Sequence, residues 1–241
     1  MRHLSYYTHL RETMEVHWTE QLDNALEKIN GVWNQYTAPD FAPVPPAWLA
    51  AIHMMEGNNN MGKQILNGQR WDEKTTIHPK NLGPFKDWKE STMLAIELHK
   101  LRQDPDWSID EALLRLEQWN GWGYAKRGKH SPYLWSGTNH GVGTGKFVAD
   151  GKYDPNAVSK QLGAAPVLIA LWNKPVLQKV IWIYDATGEY KDGPKSQYQH
   201  VTLRAHGGYT GKIDGWLGPK SSEAHKRLFG HYLVGDPREE Q

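Results

Sequence analysis

The 241-residue sequence contains no cysteine, which excludes disulfide scaffolds, thiolate zinc sites and cysteine nucleophiles. It also has no long hydrophobic run. The longest, Ala164–Trp172, is too short to cross a bilayer and contains Pro166. The amino-terminal residues show no apolar segment of the kind found in a signal peptide. We therefore expect a chain that is made in the cytoplasm and does not insert into a membrane.

The sequence also lacks an excess of charge and is poor in phenylalanine. Lysine and arginine total 28 against 27 aspartates and glutamates, a net charge of +1. A protein that binds nucleic acid by neutralising phosphates normally needs a basic face, so we expect no nucleic-acid partner. Only 4 Phe accompany 12 Trp and 11 Tyr. Because Trp and Tyr carry a polar edge, this bias favours aromatic rings at wet surfaces, where sugars stack on them.

Hydrophobic periodicity predicts a mainly α protein, and the length suggests one mid-sized domain with a small module after it. We place the domains at residues 1–187 and 196–241, with Gly188–Ser196 as the linker. Helices are predicted over about the first 35 residues, over Pro46–Glu56, from capping boxes at Asp87–Glu90 and Ser108–Glu111, and between Asn156 and Trp172. Residues 122–157 are predicted to form a long functional loop region, and residues 176–184 fit either a strand or a helix.

Glu56 is the candidate catalytic residue because of its position in the chain. It lies at the end of an apolar helix, with Ile52 one turn back, Met55 beside it and Gly57 after it. The negative end of the helix dipole and apolar surroundings both raise a carboxyl pKa. A general acid needs such a carboxyl, protonated near neutral pH. A solvated glutamate in the last turn of an ordinary helix is the alternative that position alone leaves open.

Three segments resemble the lysozyme-like superfamily, which includes goose-type lysozymes, lytic transglycosylases and many phage endolysins. Ala47–Gly57 resembles the helix that carries the catalytic acid, and Arg115–Tyr124 is similar to the motif ending in (A/Q)-(Y/W)-N-(A/G)-G. Ser131–Thr138, followed by Gly145–Val148, looks like the tyrosine-bearing segment beyond it. The resemblance implies a lysozyme-like catalytic domain in which Glu56 protonates a glycosidic oxygen.

Glycosidases commonly use a second carboxylate, as nucleophile or as base. The interval from Glu56 to Asp72 suits a loop crossing the cleft, and Thr76 is a candidate for orienting a water. Asp72 is equally well interpreted as an acidic residue in a surface turn. Many members of the superfamily show only one obvious acid, so the resemblance does not require Asp72 to act in catalysis. The candidate sugar contacts are Asn120, Tyr124, Tyr133 and Trp135.

Gly208–Ala224 closely resembles the core of the small three-helix peptidoglycan-binding domain, whose signature is G-Y-x-x-G-x-x-D-G-x-x-G-x-x-(T/S)-x-x-A. Ser221 or Ser222 is expected to cap the following helix. The predicted core of this module consists of Leu203, Ile213, Leu217, Ala224 and Leu228. Its predicted wall contacts are Tyr209, Asp214 and Trp216.

Other chemistries find little support in the sequence. His140–Lys146 departs from a phosphate-binding loop, and no H-E-x-x-H pair or G-x-S-x-G elbow occurs. We therefore expect no metal and no cofactor. The sequence predicts a monomeric peptidoglycan hydrolase that reaches the cell wall after release from the host cytoplasm. A virion-carried lysin or a secreted effector fits almost as well.

Three other functions stay open at this point. One is a lytic transglycosylase that leaves 1,6-anhydro ends, and another is a chitinase or chitosanase. The third is a non-catalytic wall-binding or virion protein that keeps a decayed lysozyme fold.

Overall fold

The computed structural model describes residues 2–103, 107–173, 203, 209–212, 216–229 and 232–238. Within these residues the protein is mainly helical, which confirms the predicted class. The helices are α1 (Leu4–Glu12), α2 (Thr19–Gly31), α3 (Trp33–Tyr36), α4 (Pro46–Gly57), α5 (Trp88–Leu98), α6 (Ile109–Asn120), α7 (Pro132–Trp135), α8 (Ala164–Asn173) and α9 (Pro219–Phe229). Strands β1 (Lys146–Ala149) and β2 (Lys152–Asp154) form one antiparallel hairpin. None of the helices described is both long and apolar enough to span a membrane.

Helix α4 lies at the centre of the main hydrophobic core. Ten of its twelve residues are buried, Trp48, Leu49 and Ile52 completely. A helix that is apolar on all sides must be covered on all sides, and α4 packs against α8 and α3. Helix α1 packs against α6, and α7 contacts both α6 and α8. Glu56 is therefore held at the end of a helix that is almost entirely enclosed.

The predicted capping boxes mark the starts of α5 and α6. Asp87 Oδ1 accepts a hydrogen bond from the Glu90 amide at 2.8 Å. Ser108 Oγ accepts one from the Glu111 amide at 3.2 Å. Each side chain satisfies an amide that has no partner within the helix. Helix α6 ends at Asn120, as predicted, and Gly121 follows with a φ of 87°.

The single helix predicted at the amino end is wrong, because the chain forms three helices there. Between α1 and α2 the chain turns to meet a distant loop. The His17 and Trp18 amides both donate to the Gly137 carbonyl, at 2.8 and 3.1 Å, and Val16 pairs with Thr138. These long-range hydrogen bonds compete with the helical ones, and sequence periodicity does not reveal them.

Residues 58–87 form a lobe without helices that folds back on the end of α4. Asn58 closes α4 in the left-handed conformation, one residue later than the sequence predicts. The lobe is held by backbone pairing, including Gln64 to Gln69 at 2.9 Å. Gly68 has a φ of +71°, and a Cβ atom there would lie 2.1 Å from the Glu56 carbonyl oxygen. The lobe therefore touches the main chain of Glu56 itself.

A second, smaller hydrophobic cluster lies in the carboxy-terminal part of the chain. Three of its members, Leu203, Leu217 and Ala224, belong to the predicted core, and Tyr209 and Leu233 complete it. Ile213, the side chain of Leu228, the 176–184 segment, the linker Gly188–Ser196 and the domain boundary lie outside the described residues.

The predicted serine cap of the last helix is wrong. Helix α9 begins at Pro219, so Ser221 and Ser222 lie inside it. The Ser222 amide donates to the Gly218 carbonyl at 3.0 Å, as expected for a residue in the first turn. Its hydroxyl instead accepts from the Leu233 amide at 3.1 Å and ties the helix to the following segment.

Candidate active site

Glu56 and Tyr133 form a hydrogen-bonded pair that joins two distant parts of the chain. The Tyr133 hydroxyl donates to Glu56 Oε1 at 2.7 Å, across 77 residues of sequence. Glu56 is the penultimate residue of α4, and Tyr133 lies on the single turn of α7. Both side chains are half-buried. The pair brings together a residue predicted as the acid and one predicted as a sugar contact.

The surroundings of Glu56 favour its protonated form. Burial raises the pKa of this carboxyl, while the hydroxyl of Tyr133 and, to a smaller extent, the side chain of Trp119 favour the ionised form. Burial and the nearby carboxylate also raise the pKa of Tyr133 well above its ordinary value. Tyr133 therefore keeps its proton and remains the donor of the pair. The net result is a carboxyl that holds its proton to a higher pH than a solvated glutamate does.

A groove of about 470 Å³ lies beside this pair. Its walls come from the ends of α4 and α6, from α7, and from the β1–β2 hairpin with the segment after it. Tyr133 is one of its lining residues, together with Met55, Asn120 and Phe147. Glu56 does not itself line the groove. Its carboxylate is joined to the wall by the hydrogen bond from the Tyr133 hydroxyl.

Three of the four predicted sugar contacts line this groove: Asn120, Tyr124 and Tyr133. Asn120 is exposed at the end of α6, and its Nδ2 donates to Ser131 Oγ at 3.2 Å. The Tyr124 hydroxyl accepts from the Phe147 amide at 3.0 Å, so this tyrosine also fastens the hairpin to the helical body. The groove thus offers two amide side chains, Asn120 and Gln161, and several aromatic rings to a ligand.

Trp135 lies elsewhere, in contrast to the sequence prediction. It is completely buried in the main core, with its ring edge-on to His140. Two residues along a helix are separated by about 200° of rotation, since each residue advances about 100°. When Tyr133 faces the groove, Trp135 must therefore face the opposite side. The prediction that Trp135 contacts sugar is not compatible with this burial.

The structure does not bring Asp72 and Thr76 to the groove. Asp72 is exposed on the 58–87 lobe and accepts two hydrogen bonds from Arg70, one of them at 2.9 Å. The Arg70 guanidinium lowers the pKa of Asp72 and so keeps this carboxylate ionised. Thr76 Oγ1 accepts from Gln69 Nε2 at 2.9 Å. Both residues serve the internal order of the lobe.

Among the groove residues that were not predicted as contacts are Lys146, Asp150 and Gln161. Gln161 Nε2 donates to the Met55 carbonyl at 3.0 Å, next to Glu56 in the chain. Asp150 is the carboxylate among the lining residues and sits in the turn of the β1–β2 hairpin. The Asp-Gly dipeptide at 150–151 is a turn signal from which the hairpin could have been predicted. No sequence signal pointed to Gln161.

In the carboxy-terminal part, one predicted wall contact belongs to the core. Tyr209 is buried, and its hydroxyl donates to the Lys212 carbonyl at 2.6 Å. Trp216 is half-buried, and Asp214 lies outside the described residues.

Across the described ranges, no group of three histidine, aspartate or glutamate side chains is arranged to hold a metal ion. Comparison of the chain with known protein families, with curated proteins and with solved structures finds no match.

Proposed function

We propose that this chain is a lysozyme-like peptidoglycan hydrolase. It cleaves the β-1,4 bond between N-acetylmuramic acid and N-acetylglucosamine, with Glu56 as the general acid. The observation that carries the proposal is the Glu56–Tyr133 pair beside a groove lined by aromatic and amide side chains. The resemblance of Ala47–Gly57, Arg115–Tyr124 and Ser131–Thr138 to the lysozyme-like superfamily supports the same function.

The chemistry requires a proton at the glycosidic oxygen as the bond to the sugar breaks. Glu56 supplies it, because burial keeps the carboxyl protonated to a higher pH. Once the proton has left, the Tyr133 hydroxyl stabilises the new carboxylate by its hydrogen bond to Oε1. Tyr133 also fixes which carboxyl oxygen faces it, and so orients the other one. In the proposed complex the sugar occupies the groove beside Asn120 and Tyr124.

After this protonation the cleavage reaction can finish in two ways. Water attacks the sugar in a hydrolase, whereas the muramyl 6-hydroxyl closes an anhydro ring in a lytic transglycosylase. Asp72 has no catalytic role in this mechanism, because its carboxylate is bound by Arg70.

We further propose that the carboxy-terminal module binds the same polymer. We also propose that the enzyme is made in the cytoplasm and reaches the wall after its release.

The test is mass spectrometry of purified peptidoglycan digested by the wild type, by Glu56→Gln and by the control Asp72→Asn. We expect disaccharide-peptides from the wild type, with reducing muramic acid ends for hydrolysis or 1,6-anhydro ends for transglycosylation. Glu56→Gln should reduce product formation by about 10²- to 10⁴-fold, the usual contribution of a general acid.

Three other results would overturn the proposal in different ways. Full activity in Glu56→Gln would remove Glu56 from the mechanism. Wall binding without any product from the wild type would indicate a non-catalytic wall-binding protein. Cleavage of soluble chitin oligomers at a higher rate than peptidoglycan would indicate a chitinase.

A further inference from the structure

A second depression adjoins the groove at strand β1. This depression, of about 460 Å³, is lined by Lys146, Phe147, Val148, Ala157, Val158 and Lys160. Lys146 and Phe147 also line the groove, so the two spaces are neighbours that share these two residues as wall. A ligand that extends from the groove past Lys146 and Phe147 would meet the depression next.

The depression combines two cations with exposed aliphatic side chains. Lys146 and Lys160 are exposed, and neither ammonium forms an ion pair within the part of the chain that the structure describes. Val148 and Val158 are 51% and 75% exposed, and both line this concave surface. The surface thus offers charge attraction to carboxylates and apolar contact to small aliphatic groups.

This chemistry selects a short anionic peptide over the other polymers of a bacterial wall. A bare sugar chain presents mostly hydroxyl groups and stacks on aromatic rings, so it covers Val148 and Val158 less completely than a peptide does. A polyphosphate chain would satisfy the lysines but would leave the valines exposed to water. A peptide with free carboxylates and alanine-like side chains satisfies both parts of the surface.

We propose that this depression binds the carboxylate-bearing stem peptide of peptidoglycan, so that the enzyme prefers peptide-substituted glycan to bare glycan. The inference rests on the proposed function, since the groove must hold the glycan for the peptide to reach the depression. Lys160 and Val158 line the depression but not the groove, and so they report on the peptide alone.

The test compares cleavage rates on intact peptidoglycan and on glycan strands whose peptides have been removed by an amidase. We expect Lys160→Ala to lower the ratio of these rates by about threefold, since an exposed ion pair contributes modestly. Lys160→Glu should lower the ratio further by repelling the peptide carboxylates. Val158→Ser should also lower it by removing apolar contact. The matched control is Lys152→Ala, an exposed lysine on β2 that lines neither space.

A second measurement does not depend on cleavage. Isothermal titration of a soluble stem tetrapeptide should show binding to the wild type that weakens with salt and with Lys160→Glu. An unchanged rate ratio together with unchanged peptide binding in Lys160→Glu would overturn this inference and leave the proposed function standing. If the wild type cleaved neither substrate, the proposed function would fail, and the titration would still decide whether the depression binds peptide.

Discussion

At the scale of single residues, Glu56 is subject to two opposing influences. Burial favours the neutral carboxyl, whereas the Tyr133 hydroxyl favours the carboxylate, and burial dominates. This balance suits an acid that must hold a proton before reaction and tolerate a charge afterwards. In the proposed mechanism Tyr133 is a positioning residue, and its effect is measurable through the titration of Glu56.

Replacing Tyr133 with phenylalanine removes the hydrogen bond and keeps the ring. Because the hydroxyl favours the ionised form, its loss should raise the pKa of Glu56 further. We expect the alkaline limb of the activity profile to move to higher pH, while the maximal rate falls by about tenfold from lost orientation. Rates on peptidoglycan from pH 4 to 9 measure both effects. An alkaline limb at the wild-type pH, or one displaced to lower pH, would contradict the expected role of Tyr133.

Asp72 provides a sharp contrast to Glu56. Its carboxylate is exposed and paired with Arg70, which lowers its pKa. Asp72 is therefore ionised and does not hold a proton as a general acid must. We expect Asp72→Asn to keep the rate within about twofold of the wild type, as is typical of exposed ion pairs. Side-by-side assay with Glu56→Gln measures the difference. A loss in Asp72→Asn as large as that in Glu56→Gln would restore Asp72 as a second catalytic carboxylate.

At the scale of secondary-structure elements, the contact between the 58–87 lobe and α4 depends on Gly68. Its φ of +71° strains any other residue, and a Cβ atom would lie 2.1 Å from the Glu56 carbonyl oxygen. Gly68→Ala should therefore lower the free energy of unfolding by about 2 kcal/mol or more, because the obstacle is main chain. Urea denaturation measures this loss.

The control is Gly31→Ala at the end of α2, where a Cβ atom meets nothing within 4 Å. Alanine favours helix over glycine, so this variant should be neutral or slightly more stable. Equal stability of the two variants would show that the lobe can shift away from Glu56.

Local sequence signals predicted some elements well and others poorly. The starts of α5 and α6 were predictable because Asp87 and Ser108 bind amides only three residues away. The break between α1 and α2 was not, because its cause is the Gly137 carbonyl, more than a hundred residues along the chain. The hairpin β1–β2 lay inside a region predicted only as a functional loop.

At the scale of the whole molecule, the buried His53 connects three parts of the chain. Its Nε2 lies 3.0 Å from both the Asn60 and the Lys63 carbonyl oxygens, so Nε2 carries the hydrogen. Nδ1 therefore accepts from the Tyr36 hydroxyl at 2.9 Å. This neutral histidine links α3, α4 and the lobe, and burial lowers its pKa to about 4 from the ordinary 6.5.

Stability should consequently fall in acid. The unfolded chain takes up a proton at His53 near pH 6.5, whereas the folded chain does so only near pH 4. The contribution of His53 is fully present above pH 6.5 and is lost as the pH falls to about 4. A shift of this size corresponds to about 3 kcal/mol.

Chemical denaturation at pH 7, 5.5 and 4, together with an NMR titration of the His53 ring protons, checks this prediction. Replacement of the exposed His78 by glutamine is the matched control. An NMR titration midpoint for His53 near 6.5 would contradict the linkage.

The sequence by itself determined the helical class, the starts of the capped helices and the candidacy of Glu56. These depend on neighbours within one or two helical turns, and such neighbours are readable from spacing. Only the tertiary structure decided which residues share the groove. In the folded chain Tyr133 is hydrogen-bonded to Glu56, and Trp135 is buried in the core. Asp72 is paired with Arg70, and Gln161 contacts the end of α4. A groove is assembled by packing between distant segments, and the hydrogen bonds and burial that result have no local signature in the chain.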